Sequence, residues 1–466
     1  MPRNIATLSL ICLLFLGGCS LKPELQVPSL ELPQSQQEAL HVNASWWEKF
    51  GDAKLNALIE EAINNNDEIK LSALRILKAK QAYGLSDASL YPTLSATAGS
   101  SRQKTSDETY QHNRNEYTDN TMALNLGYEI DFWGKLSNQA QSNWELYLAS
   151  NAAAQTVKNT LIHEITLAYF NLASLHERLN IIDETIQTYK AVYDFRSKQL
   201  KLGSINELLV SQAQAQYLNA INLKSSLVES KKLQENALLI LLGKSPKVLF
   251  EANGMSTHTL PKPIEIAQGI PSSILENRPD IQEALSNLKS KNALIGVEKA
   301  AYFPSISLTG SFGQQSESLD NILKSSANRW SFGPSLSVPI FDFERIKTRV
   351  ALSQTELQSS LIAYEQTVKK AYKEVSDALL RNAILKEKVL TQEEETAAYS
   401  KVLSLSTKRF NAGAITYLEV LDAQKGFLNA QLNGVSTKQS YLVSQAELFK
   451  AMGSGWNEKD LLGEKQ

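Results

Sequence analysis

Two long stretches of the chain contain neither glycine nor proline: Lys135 to Leu202, which ends at Gly203, and Glu344 to Ala412, which ends at Gly413. Helical throughout, whether as one helix or two end to end, each run of roughly 70 residues would span roughly 100 Å. That is several times an ordinary helix, too long to serve as the core of a compact domain. After each glycine the chain turns into a second apolar-patterned run. The device occurs twice, 210 residues apart (Gly203 and Gly413).

Charge is nearly balanced, with 47 basic against 49 acidic residues, so neither half reads as a nucleic-acid surface. Beyond the N-terminus no window approaches the ~18 apolar residues of a spanning helix, so any later membrane crossing would need strands. Residues 1–18 have the form of a secretory signal, with Arg3, an apolar stretch from Ile5 to Leu16, and Gly17-Gly18 as small residues before Cys19. Leu16-Gly17-Gly18-Cys19 resembles a bacterial lipobox, whose cysteine is lipidated and becomes the first mature residue; the competing reading is an ordinary signal with an incidental cysteine. Cys12 would leave with the signal, and no internal disulfide could form. Ser20 is not the aspartate of an inner-membrane retention signal, which favours outer-membrane delivery. Residues 19–45, with Pro23, Pro28 and Pro33, read as an extended strap.

From Trp46-Trp47 the pattern turns helical, with Leu55, Leu58, Ile59, Ala62 and Ile63 on one stripe that Ile69, Ala73, Ile76 and Leu77 continue. Alternation with period two follows in Thr93 to Ser101 and in Met122 to Ile130, around the polar stretch Arg102 to Asn120, and predicts a β-hairpin. The second half repeats the order. Phe303-Pro304-Ser305-Ile306-Ser307 answers Tyr91-Pro92-Thr93-Leu94-Ser95, Gln314 to Arg329 answers the first polar loop, and Phe332 to Phe341 answers the second strand. Leu208 pairs with Leu418, Ala213-Gln214 with Ala423-Gln424, and Leu242-Gly243 with Met452-Gly453 at the same offset of 210. The expected organisation is a first repeat over 46–243, an irregular proline-rich connector over 244–272, a second repeat over 273–453, and a tail over 454–466. The last helix carries the heptad Leu421, Leu428, Val435, Leu442 and Phe449; the first repeat has a looser version in Ala213, Ala220 and Leu227.

Two hairpins of small and apolar residues have too little surface for a core of their own. In a membrane, open sheet edges are forbidden, so strands must close into a barrel. Four strands cannot enclose a useful lumen, which calls for several chains in cyclic symmetry. The alternative is a small soluble sandwich stacked on helices.

Several motifs, taken in order, resemble one family. They are the lipobox ending at Cys19; Trp46-Trp47 with Phe50-Gly51-Asp52 and Leu55; Tyr128 to Gly134; and Asn277-Arg278-Pro279-Asp280-Ile281. Phe303 to Ile306, Pro339-Ile340-Phe341-Asp342, and Arg409-Phe410 before Gly413 with Leu421 to Gln424 complete the set. The chain resembles the outer membrane factor (TolC-like) family, and most closely its lipoprotein branch of OprM/NodT efflux channels. The resemblance implies an α+β membrane protein: a long α-helical coiled-coil barrel plus a 12-stranded β-barrel shared by a homotrimer, four strands per chain. It implies a passive outer-membrane exit channel of a tripartite efflux system, partnered by outer-membrane lipid, a periplasmic adaptor (membrane fusion) protein and an inner-membrane pump of the RND type. No cofactor is implied beyond a covalent lipid on Cys19. A type I protein-secretion duct and a non-channel structural coiled-coil lipoprotein are the alternatives.

The resemblance also assigns sites. Leu418, Asp422 and Lys425 match residues lining a constricted periplasmic end, and three symmetry-related carboxylates in a narrow mouth would favour cations. Against this, Asp and Lys three apart on a helix commonly pair locally on a solvated face. The tips, Gly203, Ser204 and Ile205 with Gly413, Ala414 and Ile415, would face the adaptor, the glycines capping helices in a left-handed conformation. Arg278-Pro279-Asp280 reads as a helix start. Enzyme chemistry has little support: His41, His112, His163, His176 and His258 form no ligand set. Gly243-Lys244-Ser245 fails as a phosphate loop because Leu238 stands where its first glycine belongs.

Overall fold

The computed structural model describes residues 20–26, 45–104, 106, 108, 116–245, 248, 259–264 and 278–453. The signal, Cys19, most of the strap, most of the connector and the tail lie outside the described residues. The elements are α1 (Ala53–Asn65), α2 (Asp67–Ala88), β1 (Thr93–Lys104), β2 (Glu116–Ile130), α3 (Lys135–Lys201) and α4 (Glu207–Leu241), then α5 (Pro279–Ala300), β3 (Ser305–Ser316), β4 (Asn328–Ser337), α6 (Arg345–Asn411) and α7 (Tyr417–Ala451). Each breaker-free run is one uninterrupted helix. The long helices α3 and α6 have 67 residues apiece, and α4 and α7 have 35.

The chain divides into two compact units, each drawn from both halves: 1–30, 75–151 and 283–365 form the first, and 31–74, 152–282 and 366–466 the second. The first holds a single four-stranded antiparallel sheet in the order β1-β2-β3-β4. Within each hairpin Thr93 pairs with Gly127 and Ser305 with Ser337; β2 joins β3 through pairs such as Leu124 with Phe312. The strands differ from expectation at their ends. β1 and β2 run on into the polar stretch, because Arg102 pairs with Glu116 at 3.0 Å and the Tyr117 hydroxyl donates to Gln103. β4 stops at Ser337, short of Phe341, because β3 begins opposite it at Ser305 and offers nothing beyond. Phe343 and Glu344 then take left-handed φ values of 54° and 62°.

In the same unit the strap segment lies against helices. The Ser20 hydroxyl donates to Asn138, Lys22 Nζ to Gln141 at 2.7 Å, and the Asn292 amide to the Pro23 carbonyl at 2.9 Å. Gly296 makes room for it: a Cβ there would stand 2.5 Å from Asn138 Nδ2 and 3.1 Å from Lys22 Cβ.

The second unit has an aromatic core. Trp46 stacks on Phe449 at 5.3 Å, and Phe50 meets Phe170 edge-on at 5.1 Å. Leu55, Ile59, Ile162, Ile165, Leu172 and Leu238 are fully buried around them, each removal from water stabilising by about 2 kcal/mol. Asp52 caps α1 at the Lys54 and Leu55 amides and accepts the Tyr169 hydroxyl at 2.6 Å. Burial first, and then that carboxylate, push the Tyr169 phenol above its ordinary range. The stripe of α1 does not continue into α2 as expected, and Ala73 and Leu77 are exposed. Asn66 breaks the helix at ψ 135° and caps a new one through Glu68 and Ile69, which resets the phase. The heptads do pack: Ala220 and Leu227 close on Ile182 and Tyr189, with Leu428 against the same cluster.

Candidate functional site

The sheet is sorted by face. Register partners share a side of a sheet, so Leu94, Leu126, Leu124, Phe312 and Trp330 line one face. Thr97, Ala123, Asn125, Ser311 and Ser331 line the other. The apolar face is left bare by the described residues: Leu94 is 69 % exposed and Trp330 76 %. Side chains of this size left bare on one face, opposite hydroxyls, amides and small residues, suit a wall between hydrocarbon and water. No described helix is long and apolar enough to cross a membrane.

In the second unit the two tips are built alike. Gly203 (φ 68°) donates to the Leu200 carbonyl and Ser204 to that of Gln199, both at 2.9 Å. Gly413 (φ 71°) and Ala414 repeat this with Phe410 and Arg409, again at 2.9 Å. The pattern is a Schellman closure, and it requires the left-handed glycine. The next helices start on Asn206, which accepts the Leu209 amide, and on a capping box between Thr416 and Glu419. Gly203, Ser204, Gly413 and Ala414 are exposed; Ile205 and Ile415 are half-buried. Ile415 joins Val192, Leu209 and Phe410 against a buried cluster of Tyr417, Val420 and Leu421.

Leu418, Asp422 and Lys425 are all exposed on the first three turns of α7. Asp422 and Lys425 form no ion pair with each other, and neither carries another such partner among the described residues. Three other arrangements were invisible to pattern reading. Arg196 is buried with its guanidinium over Phe410 and Tyr417, and donates to Gln199 at 2.9 Å. Burial pushes the Tyr417 phenol up, and Arg196 partly offsets this. Arg278 does precede a helix with proline in its first position, and it also ties Asp280, Glu374 and the Ala451 carbonyl together at 2.7–2.8 Å. His163, beside a cavity of about 270 Å³, is pushed down to about 4 by burial, then by Lys450, against a hydrogen bond to the Ala446 backbone that acts to raise it. No group of His, Cys, Asp and Glu suited to a metal occurs among the described residues.

The description "outer membrane efflux protein" defines a family whose pattern matches residues 58–244 and 270–454. The chain belongs to the outer membrane efflux protein family. It is 32% identical to the cation efflux system protein CusC of Escherichia coli O6:H1, over 96% of this chain and 97% of that one. It is likewise 32% identical to the probable outer membrane lipoprotein SilC of Salmonella typhimurium, over 98% and 100%. Among solved structures, the Campylobacter jejuni CmeC outer membrane channel superposes with a TM-score of 0.89 at 27% identity, over 94% of this chain and 96% of that one. The chain is an outer-membrane efflux channel with the fold of these proteins, and the two-faced sheet is its membrane wall. The family and these relatives are channels, not enzymes.

Proposed function

We propose that this efflux channel is the exit duct of a tripartite system. Three copies close twelve strands into one barrel, with the bare apolar face toward lipid and the hydroxyl-rich face toward water. The tips at Gly203–Ile205 and Gly413–Ile415 dock a periplasmic adaptor, which couples the channel to an inner-membrane pump of the RND type. Leu418, Asp422 and Lys425 form a constriction at that end, where a ring of three Asp422 carboxylates favours cations. Cys19 carries the lipid, a reading supported by the lipobox and by the name of SilC.

The observation that carries this reading is the sheet. Its two faces have opposite chemistry, and both of its outer strands, β1 and β4, lack an outer neighbour among the described residues. Such a sheet survives in a bilayer only if its edges are paired. The test is planar-bilayer recording of the purified full-length protein. Discrete conductance steps from a trimeric species are expected; a silent protein would leave a stalk-like lipoprotein as the better account.

A further inference from the structure

The face of the sheet that carries hydroxyls and small residues also carries charge, at the end where β1 gives way to β2 and β3 to β4. Alternation puts Asp119 on that face with Ala123 and Asn125, Gln315 with Ser311, and Arg329 with Ser331. Register sets the three on successive rungs. Arg329 stands opposite Gly313, Gln315 opposite Thr121, and Asp119 opposite Ser101, each one rung farther from the helices. Toward the helices the same face runs through Asn125, Thr309, Ser311, Ser331 and Ser335, which bear no charge, as far as Glu129, which pairs with Lys135 at 3.1 Å.

The three side chains are joined across the strands. Arg329 Nη1 of β4 donates to Gln315 Oε1 of β3 at 2.7 Å, and Gln315 Nε2 donates to Asp119 Oδ1 of β2 at 2.8 Å. The amide therefore lies between a guanidinium and a carboxylate, its carbonyl toward the cation and its N–H toward the anion. Both bonds are charge-assisted, and each polarises the other. A direct Arg–Asp ion pair would largely cancel the two charges in the space around it. With β3 and its glutamine interposed, the charges stand on strands about 10 Å apart, and a field remains between them. Gly313, between Ala123 and Arg329 on their rung, adds no side chain beside the guanidinium. Arg329 and Gln315 are exposed and Asp119 is half-buried, so both charges reach water.

We propose that Asp119, Gln315 and Arg329 form a charge-separated collar at the outer end of the duct. It acts on zwitterionic solutes, those bearing an ammonium and a carboxylate, by drawing their two ends toward Asp119 and Arg329 as they leave. Gln315 is the positioning residue that holds the charges apart. Three copies would set six alternating charges around the bore. This collar rests on the reading above that the hydroxyl-rich face lines the water-filled channel.

The test is recording from the full-length protein in planar bilayers under a salt gradient. Asp119→Asn should shift the reversal potential toward anion preference and Arg329→Gln toward cation preference. The double variant keeps the net charge and should return to the wild-type value. 6-Aminohexanoate, with its charges at the two ends of a chain, should lower wild-type conductance when added on the outer side. The double variant should lose that response, and Gln315→Leu should weaken it while the reversal potential stays unchanged. Single variants with the wild-type reversal potential, or a response to 6-aminohexanoate that survives in the double variant, would overturn the collar. The wet face is checked separately with a membrane-impermeant thiol reagent, using wild type as the blank for Cys19. Ser331→Cys should be labelled and Trp330→Cys spared. The reverse labelling, or a wild-type protein that does not conduct, would overturn the duct reading instead.

Discussion

The guanidinium of Arg196 sits 4.7 Å from the centre of the Tyr417 ring, and this contact fastens the first tip to the second. Arg196 belongs to the last turns of α3 and Tyr417 opens α7. The pair, with Phe410 at 5.0 Å, closes the buried cluster behind both glycine turns. Arg196→Ala should therefore cost about 2 kcal/mol or more, since it removes a desolvated cation–ring contact and leaves a void. Trypsin cleavage after Lys201 and Arg409 should quicken. Unchanged cleavage and an unchanged melting temperature would mean the clamp does nothing.

Among the described residues Asp422 has no ion-pair partner to lose. Replacing it with alanine should leave the fold intact and change only what passes the mouth, lowering cation preference in single-channel recordings. Lys425→Ala should move selectivity the other way. A channel with the wild-type conductance and ion preference after Asp422→Ala would dismiss the gate assignment.

Gly296 is the slot in which the strap lies. Gly296→Val would put side-chain atoms where Asn138 and Lys22 now stand, an overpacking of about 1–3 kcal/mol that expulsion of the strap would relieve. Hydrogen exchange of residues 21–26 should accelerate in the variant. Equal protection in both proteins would contradict the seating.

Glu344 holds a left-handed φ of 62° as a non-glycine residue, and its ion pair with Lys347 is exposed and contributes little. Glu344→Gly should raise stability by about 1 kcal/mol by removing Cβ strain. Gly134→Ala, at φ 72° and with Asn138 Nδ2 3.2 Å from the new Cβ, should have the opposite sign. Thermal unfolding of the two variants beside wild type decides both.

His163 makes stability depend on pH. In the folded chain its ring stays neutral down to about pH 4, whereas unfolded it takes a proton near 6.5. Between these values the unfolded state binds more protons, so stability falls as pH drops from about 6.5 to about 4, by a total on the order of 3 kcal/mol. Lys450, the charged group facing the ring, deepens the effect. Unfolding of His163→Leu against wild type across that window should show a flatter profile; parallel curves would refute the assignment.

The long helices and their ends were legible because they depend on local rules: no breaker within the runs, and a glycine where only a left-handed residue closes the turn. The strands were legible by alternation, but their true limits were not. Polar cross-strand pairs such as Arg102 with Glu116 carry a ladder past the point where hydrophobic patterning stops. The alternation from Val338 to Phe341 reads as strand, yet no strand among the described residues faces it. Arg196 was hidden for another reason. Its ring partners Phe410 and Tyr417 lie in the other half of the chain, and no spacing rule reaches that far. Asp52 was visible as part of a motif, while its second role, receiving the Tyr169 hydroxyl, depends on packing alone.

The matched lengths of α3 with α6 and of α4 with α7 restrict how such a chain can change size. Deleting one residue from α6 alone would rotate everything beyond it by about 100° and retract its tip by about 1.5 Å. The Arg196 clamp would then face the wrong side of α7. Viable insertions and deletions in these rods should come as whole heptads, matched between the two halves, so that relatives of different reach would differ by paired sevens.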